Sequence, residues 1–305
     1  MLDVCLLGTG GMMPLHYRYL TSLLLRLNGS ELLIDCGEGT QMALRKSGFS
    51  PNPIDVICLT HFHGDHVSGL PGLLLSMGNA ERREPLKIIG PKGLTRVVHA
   101  LRVVAPELPF DVEYLEFSGE KADFSINDYE IHAFRLNHNV PCYGYTVSVK
   151  RAGRFDREKA EEAGIPLAYW NRLQHGETIR DENGVYKPRM VMGPERKGLK
   201  VLYATDTRPV LEIVKNGRDA DLMILEGMYG DPEKLEHVTE RKHMLMQEAC
   251  SLAKEAAPKE LWLTHFSPAE NHPKEYEESL QEIFPGVLIP KDGQQTTLAF
   301  EEEDG

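Results

Sequence analysis

The chain has 305 residues, 41% of them hydrophobic and 26% charged, with a formal net charge of −12. That length can bury one large α/β core or two smaller ones. The acidic balance argues against broad affinity for nucleic acid, and no stretch approaches the ~20 consecutive apolar residues of a membrane span.

The charge is uneven. Residues 150–200 hold twelve Lys/Arg against eight Asp/Glu, so a basic island sits in an acidic chain. The five cysteines (Cys5, Cys36, Cys58, Cys142, Cys250) are odd in number and scattered without CxxC spacing. Reduced, packed thiols in a cytoplasmic protein are the expectation. The start MLDVCLLGTGG has no basic leader and too short an apolar run for a signal peptide. The acidic end EEEDG (301–305) reads as a solvated terminus.

In chain order, the expected strands are 4–8, 22–27, 31–36, 55–60, 86–90, 112–117, 129–136, 143–149, 200–205, 221–226, 260–265 and 287–290. Helical patterns fall at 39–48, 93–108, 155–164, 208–217, 242–257 and 273–284. Strands dominate the first half, and strand–helix alternation the second. That order predicts sheets covered by helices. Residues 151–198 are polar, basic and punctuated by Gly and Pro, which marks an excursion from the core.

The densest chemistry is THFHGDH, residues 60–66, directly after the apolar run 54–60. On extended backbone His61 and His63 project to one side, and Gly64 would let the chain turn before Asp65 and His66. Imidazole and carboxylate together suit zinc, and also manganese or iron. His138, Asp206 and His265 each stand where a later apolar strand gives way to polar residues, which is where α/β folds carry chemistry.

T-H-x-H-x-D-H resembles the signature of the metallo-β-lactamase fold hydrolases. LLGTGGMMP (6–14), LLIDCGEGTQ (32–41), LTHFHGDHVSGLPGLL (59–74), LNHNVPCYGY (136–145), YATDTRP (203–209), LEGMYGD (225–231) and LWLTHFSP (261–268) narrow the resemblance to the ribonuclease Z branch, over nearly the whole chain. The resemblance implies a four-layer αββα sandwich in one domain, 1–305, with an inserted basic arm at 151–198. It implies two zinc ions, with manganese or iron as substitutes. His61, His63 and His138 would hold one, Asp65, His66 and His265 the other, and Asp206 would bridge them.

A hydroxide shared by the two cations would attack the phosphodiester. Asp65 would also orient or deprotonate that nucleophile. His243, paired with Glu226, would protonate the departing ribose 3′-oxygen. Asp35 would hydrogen-bond a ligand histidine, or merely cap its strand. The arm would meet RNA through Arg151, Arg154 and Arg172, in a homodimer acting on tRNA precursors. The sequence departs from the family's pattern in three places. Leu245 stands where Thr is expected, Tyr19 replaces Asn, and LAYW (167–170) replaces a Gly-Pro segment. Two other readings accompany this one: hydrolysis of a small phosphodiester or other ester at the same site, and a non-catalytic RNA-binding paralogue.

Overall fold

The computed structural model describes residues 1–301; the rest of the acidic end expected to be solvated lies outside the described residues. Strands β1 (Leu2–Gly8), β2 (Ser22–Leu27), β3 (Ser30–Ile34), β4 (Ile54–Cys58), β5 (Leu86–Pro91) and β6 (Val112–Phe117) form one sheet. Strands β7 (Lys121–Ile126), β8 (Tyr129–Arg135) and β9 (Tyr143–Arg151) begin a second. β10 (Ile179–Asp181) and β11 (Gly184–Tyr186) form a two-stranded hairpin sheet of their own. Then β12 (Arg196–Ala204), β13 (Leu222–Glu226), β14 (Glu260–Thr264) and β15 (Val287–Leu288) complete the second sheet. β16 (Gln294–Leu298) returns to pair antiparallel with β1.

Each large sheet has seven strands, in the orders β16-β1-β2-β3-β4-β5-β6 and β15-β14-β13-β12-β9-β8-β7. β3 to β6 pair in parallel, as do β12 to β15. Parallel strands are covered on both faces, which accounts for unbroken apolar runs such as LMILE in β13.

Strand alternation sorts these side chains into layers. Leu33 packs with Leu44, Leu73 and Val98 beneath the helices Thr40–Lys46, Leu70–Asn79 and Leu94–Leu101. Its neighbours Leu32 and Ile34, also fully buried, point to the other face. In the second sheet Met223 and Leu225 pack with Ile213, Ala249 and Ala253 of the helices Leu211–Gly217 and Met246–Ala256. The sheets meet on their remaining faces: Tyr129 Oη donates to Ser30 O (2.7 Å), and Tyr145 Oη to Leu59 O (2.8 Å). The result is the expected αββα sandwich.

The chain divides into two compact units. One is Met1–Ser148 with Lys200–Ala299, and the other is Val149–Leu199 with Phe300 and Glu301 among the described residues. The second has its own apolar core of Ala160, Ile165, Leu173, Ile179 and Val191, with Phe155, Tyr169 and Trp170 against it.

Several elements differ from the sequence reading. Helices Leu70–Asn79, Leu167–Gln174 and Leu235–Arg241 were not expected, nor were β7, β16 and the β10–β11 hairpin. β7 escapes because its exposure alternates along a polar strand, and β16 because it is mostly exposed. The helical pattern at 93–108 breaks after Leu101 into one 3-10 turn. Gly64 needs none of glycine's freedom: it opens the short helix Gly64–Val67, and a Cβ there would meet open space. The glycine that matters is Gly69, whose added Cβ would lie 2.0 Å from Gly37 O.

Gly69→Ala is therefore expected to destabilise the protein by about 2 kcal/mol or more through overpacking against fixed backbone. Gly64→Ala is expected to be neutral, or stabilising by up to about 1 kcal/mol. Urea unfolding of the two variants checks both.

Candidate metal centre

The loops after β4, β8, β12 and β14 bring His61, His63, Asp65, His66, His138, Asp206 and His265 together. Most of these are buried; His61, His66 and His265 are fully so. They form two groups, His61–His63–His138–Asp206 and Asp65–His66–His265, in each of which one donor atom per residue lies within 4.8 Å of the others.

Asp206 stands between the groups. Its Oδ1 lies 3.8 Å from His61 Nε2 and 3.9 Å from His138 Nε2. Its Oδ2 lies 3.1 Å from His66 Nε2 and 3.2 Å from His265 Nε2. Asp65 Oδ2 closes the second group, 3.7 Å from His66 Nε2 and 3.4 Å from His265 Nε2. His63 Nδ1 approaches His138 Nε2 at 3.4 Å.

Hydrogen bonds behind the cluster select the tautomers. Asp35 is fully buried and at φ 59°. Its Oδ2 accepts from His66 Nδ1 at 2.8 Å, and its carboxylate also accepts from the amide and hydroxyl of Thr60. Thr60 Oγ1, its proton committed to Asp35, can accept from His61 Nδ1 at 3.0 Å. One buried carboxylate thus orients two imidazoles with their Nε2 lone pairs toward the cluster. His138 Nδ1 donates to Lys242 O (3.2 Å), and Lys242 Nζ to His138 O (3.3 Å). Lys242 (φ 60°), Asp206 (φ 57°) and His265 (φ 58°) share Asp35's left-handed backbone. Such conformations persist only where the surroundings enforce them.

The donors fit a divalent cation. His61 Nε2 and Asp206 Oδ2 are buried polar atoms without a hydrogen bond, an arrangement that costs free energy unless something charged sits among them. Burial pushes Asp206 up, but His265, His66 and His61 overcome it and hold the carboxyl well below its usual range. Burial, reinforced by His66, drives His61 well below the usual histidine range, and burial also brings His138 down to about 4. For His61 and His138 this is the neutral-imidazole state a metal requires, whereas at His66 burial is outweighed by Asp206, Asp35 and Asp65, which raise it well above the usual histidine range, so a cation there would replace that proton among the same carboxylates.

His243 and Glu226 share the cavity. His243 Nδ1 lies 2.9 Å from Glu226 Oε2, and Glu226 Oε1 accepts from Thr207 N at 2.6 Å. The His243 ring stacks on that of His265, with centroids 5.7 Å apart. Burial lowers the pKa of His243, but Glu226, Asp206 and Asp65 outweigh it and raise it to about 9. A cavity of about 280 Å³ opens here, lined by His63, Asp65, His138, Asp206, His243 and His265.

Sequence reasoning missed several supports. Arg208 donates to His243 O (2.6 Å) and pairs with Glu248, whose carboxylate also accepts from Leu245 N (2.9 Å). Met12 N donates to Asp65 Oδ2 (2.7 Å). Arg208 lies in the DTRP motif, but nothing in one dimension ties it to Glu248. Leu245, in place of the expected Thr, packs with Met228 and Val238. The arm arginines lie in the second unit. Arg172 pairs with Glu177, and Arg151 donates to Glu301 O (2.5 Å) and lies over the Phe300 ring. Tyr169 and Trp170 serve packing, with Tyr169 Oη donating to Asp181 and Trp170 Nε1 to Ile165 O.

A two-sheet sandwich with this two-sided His/Asp cluster defines a hydrolase of the metallo-β-lactamase fold that uses divalent metal. Residues 175–266 match the family described as the beta-lactamase superfamily domain, and residues 2–151 that described as anti-Pycsar protein Apyc1. The chain is 56% identical to ribonuclease Z of Lachnoclostridium phytofermentans over 304 residues, which is all of both chains. It is 55% identical to that of Lachnospira eligens over 303 residues, 99% of this chain and 100% of the relative. Human tRNase Z, short form, matches with TM-score 0.70 and 26% identity over 98% of this chain and 100% of its own. The chain belongs to the ribonuclease Z family.

Asp35→Asn is expected to weaken metal affinity by about 10- to 100-fold, because the amide cannot hold both imidazoles as the carboxylate does. Calorimetric titration of the metal-stripped variant, with circular dichroism to verify folding, measures this.

Proposed function

We propose that the protein is a metal-dependent endoribonuclease that removes the 3′ trailer of tRNA precursors. The observation that carries this reading is the meeting, in one cavity, of the two-sided donor cluster with an imidazole paired to Glu226. The relatives' names supply the substrate class. In this reading the cluster would take two zinc ions: His61, His63 and His138 would hold one, Asp65, His66 and His265 the other, and Asp206 would serve both. Bound divalent ions supply Lewis-acid activation of water and neutralise phosphoryl charge.

The chain's own groups do the rest. Asp65, fixed by the Met12 amide, orients the attacking water. Water loses one proton to solvent by way of Asp65 and adds its oxygen to phosphorus as the P–O3′ bond breaks; the 3′-oxygen takes a proton from His243 Nε2, which is reprotonated from solvent. Glu226 holds His243 Nδ1, which keeps Nε2 as the donor aimed at the leaving group. The products are a tRNA with a 3′-hydroxyl and a trailer with a 5′-phosphate. The basic segment 151–198 gives an acidic chain its affinity for RNA through Arg151, Arg154 and Arg172, with Arg172 exchanging Glu177 for phosphate. The reading includes a homodimer working in the cytoplasm. Among the described residues no helix is long and apolar enough to cross a membrane.

Zinc-loaded protein is expected to cut a 3′-extended precursor once, beside the discriminator nucleotide, with His63→Ala inactive. Failure on several precursors, with hydrolysis of a simple phosphodiester intact and lost in His63→Ala, would replace tRNA with a small substrate.

His243→Ala is expected to lower kcat by about 10²- to 10⁴-fold. Protonated His243 is the active form, so activity falls as pH rises through its pKa. That limb is expected at or below about 9, since cations in the cluster disfavour the imidazolium. Glu226→Gln removes the stabilising anion and moves the limb to lower pH. A pH–rate profile of both proteins measures the shift.

A further inference from the structure

The helix Leu235–Arg241 was not expected from sequence, yet it forms one wall of the metal cavity. Val238 anchors it, fully buried among Met228 and Leu245. One turn apart, His237 and Arg241 line the cavity, with His237 set edge-on to Tyr229. Arg241 is the one Lys or Arg lining that cavity among the described residues. Its guanidinium is exposed and has no hydrogen bond or ion pair among them.

The Arg241 backbone is held to the centre from two directions. Asn139 Nδ2 donates to Arg241 O (3.3 Å), and the next residue, Lys242, exchanges hydrogen bonds with metal-ligand candidate His138. Lys242 is at φ 60°, so the chain reverses there and presents His243 two residues after Arg241. The leaving-group imidazole and a free guanidinium therefore sit on one wall.

The neighbouring groove makes that guanidinium more significant. A groove of about 990 Å³ shares Tyr229 and His237 with the cavity, and Asp231, Glu233, Glu236, Glu240 and Glu270 line it against a single Lys234. Phosphates leaving the centre on this side meet a mostly acidic groove, and Arg241 is the cation at the cavity itself.

We infer that Arg241 is a substrate-positioning residue that binds the phosphate flanking the scissile one on the leaving-group side. It would fix the discriminator ribose so that its 3′-oxygen meets His243. A planar guanidinium suits this role, because it offers paired donors to two phosphate oxygens. The inference rests on the tRNA-processing reading, since a small phosphodiester has no flanking phosphate.

The test compares wild type, Arg241→Ala and Arg241→Lys, each zinc-loaded, on pre-tRNA and on bis(p-nitrophenyl) phosphate. Loss of the contact is expected to lower kcat/KM on pre-tRNA by about 10- to 100-fold. The small ester should change less than about threefold, and lysine should restore part of the loss. A precursor with a neutral methylphosphonate at the leaving-group-side linkage should show the same loss in wild type and no further loss in Arg241→Ala. In the His243→Ala background, where turnover is suppressed, Arg241→Ala should reduce the salt slope of pre-tRNA binding by about 0.7–1. Equal losses on both substrates, additive effects of the two changes, or an unaltered Arg241→Ala would each overturn the inference. Absence of pre-tRNA cleavage by wild type would instead overturn the reading beneath it.

Discussion

Everything in this fold serves one electrostatic constraint: seven metal-grade side chains, most of them buried, must be held together at the ends of strands from both sheets. Asp206 is where the constraint is tightest. Each of its oxygens faces a different group of imidazoles, so a small error in its position would affect both halves of the cluster. Left to itself, such a cluster has orphaned buried polar atoms and opposed titrations. With divalent cations, those same features become coordination. The sandwich supplies what flexible loops cannot, because parallel strands buried on both faces have no freedom to relax away from the strain.

The supporting shell follows the same logic. Asp35 orients His66 directly and His61 through Thr60, and Lys242 holds His138 from the opposite side. Arg208 and Glu248 do for His243 what Asp35 does for the ligands: they fix the backbone from which the imidazole projects, while Glu226 fixes the ring. Catalytic geometry of this kind is maintained by neighbours as much as by the reacting groups.

The departures from the family's pattern acquire physical meaning in three dimensions. Leu245 gives up the hydroxyl of the expected Thr and instead packs against Val238, the anchor of the helix that carries His237 and Arg241. Glu248 meets the backbone amide there. Tyr19 keeps its amide on Asp292, and Arg18 donates to Ser267 O and Glu270 O, tying the N-terminal loop to the segment after His265. In the second unit LAYW lies on a helix, where Tyr169 and Trp170 fill the small core that a Gly-Pro segment would leave without aromatic contacts.

The sequence by itself determined the layered α/β class and the metal-grade residues, because short apolar runs and their polar ends are local signals. It also paired His243 with Glu226, through resemblance. It left unread four helices, the short one opened by Gly64 among them, and four short or polar strands. Those depend on what packs above each segment, which no local pattern records. The resemblance also placed Asp206 between the two groups; only the tertiary structure decided that Asp35 orients two rings rather than capping a strand, and that Arg208 and Glu248 support His243. It also brought Arg241 to the cavity wall. Each of these is a contact between residues far apart in the chain, brought together by neighbouring strand ends and the helices beside them, and none has a signature in one dimension.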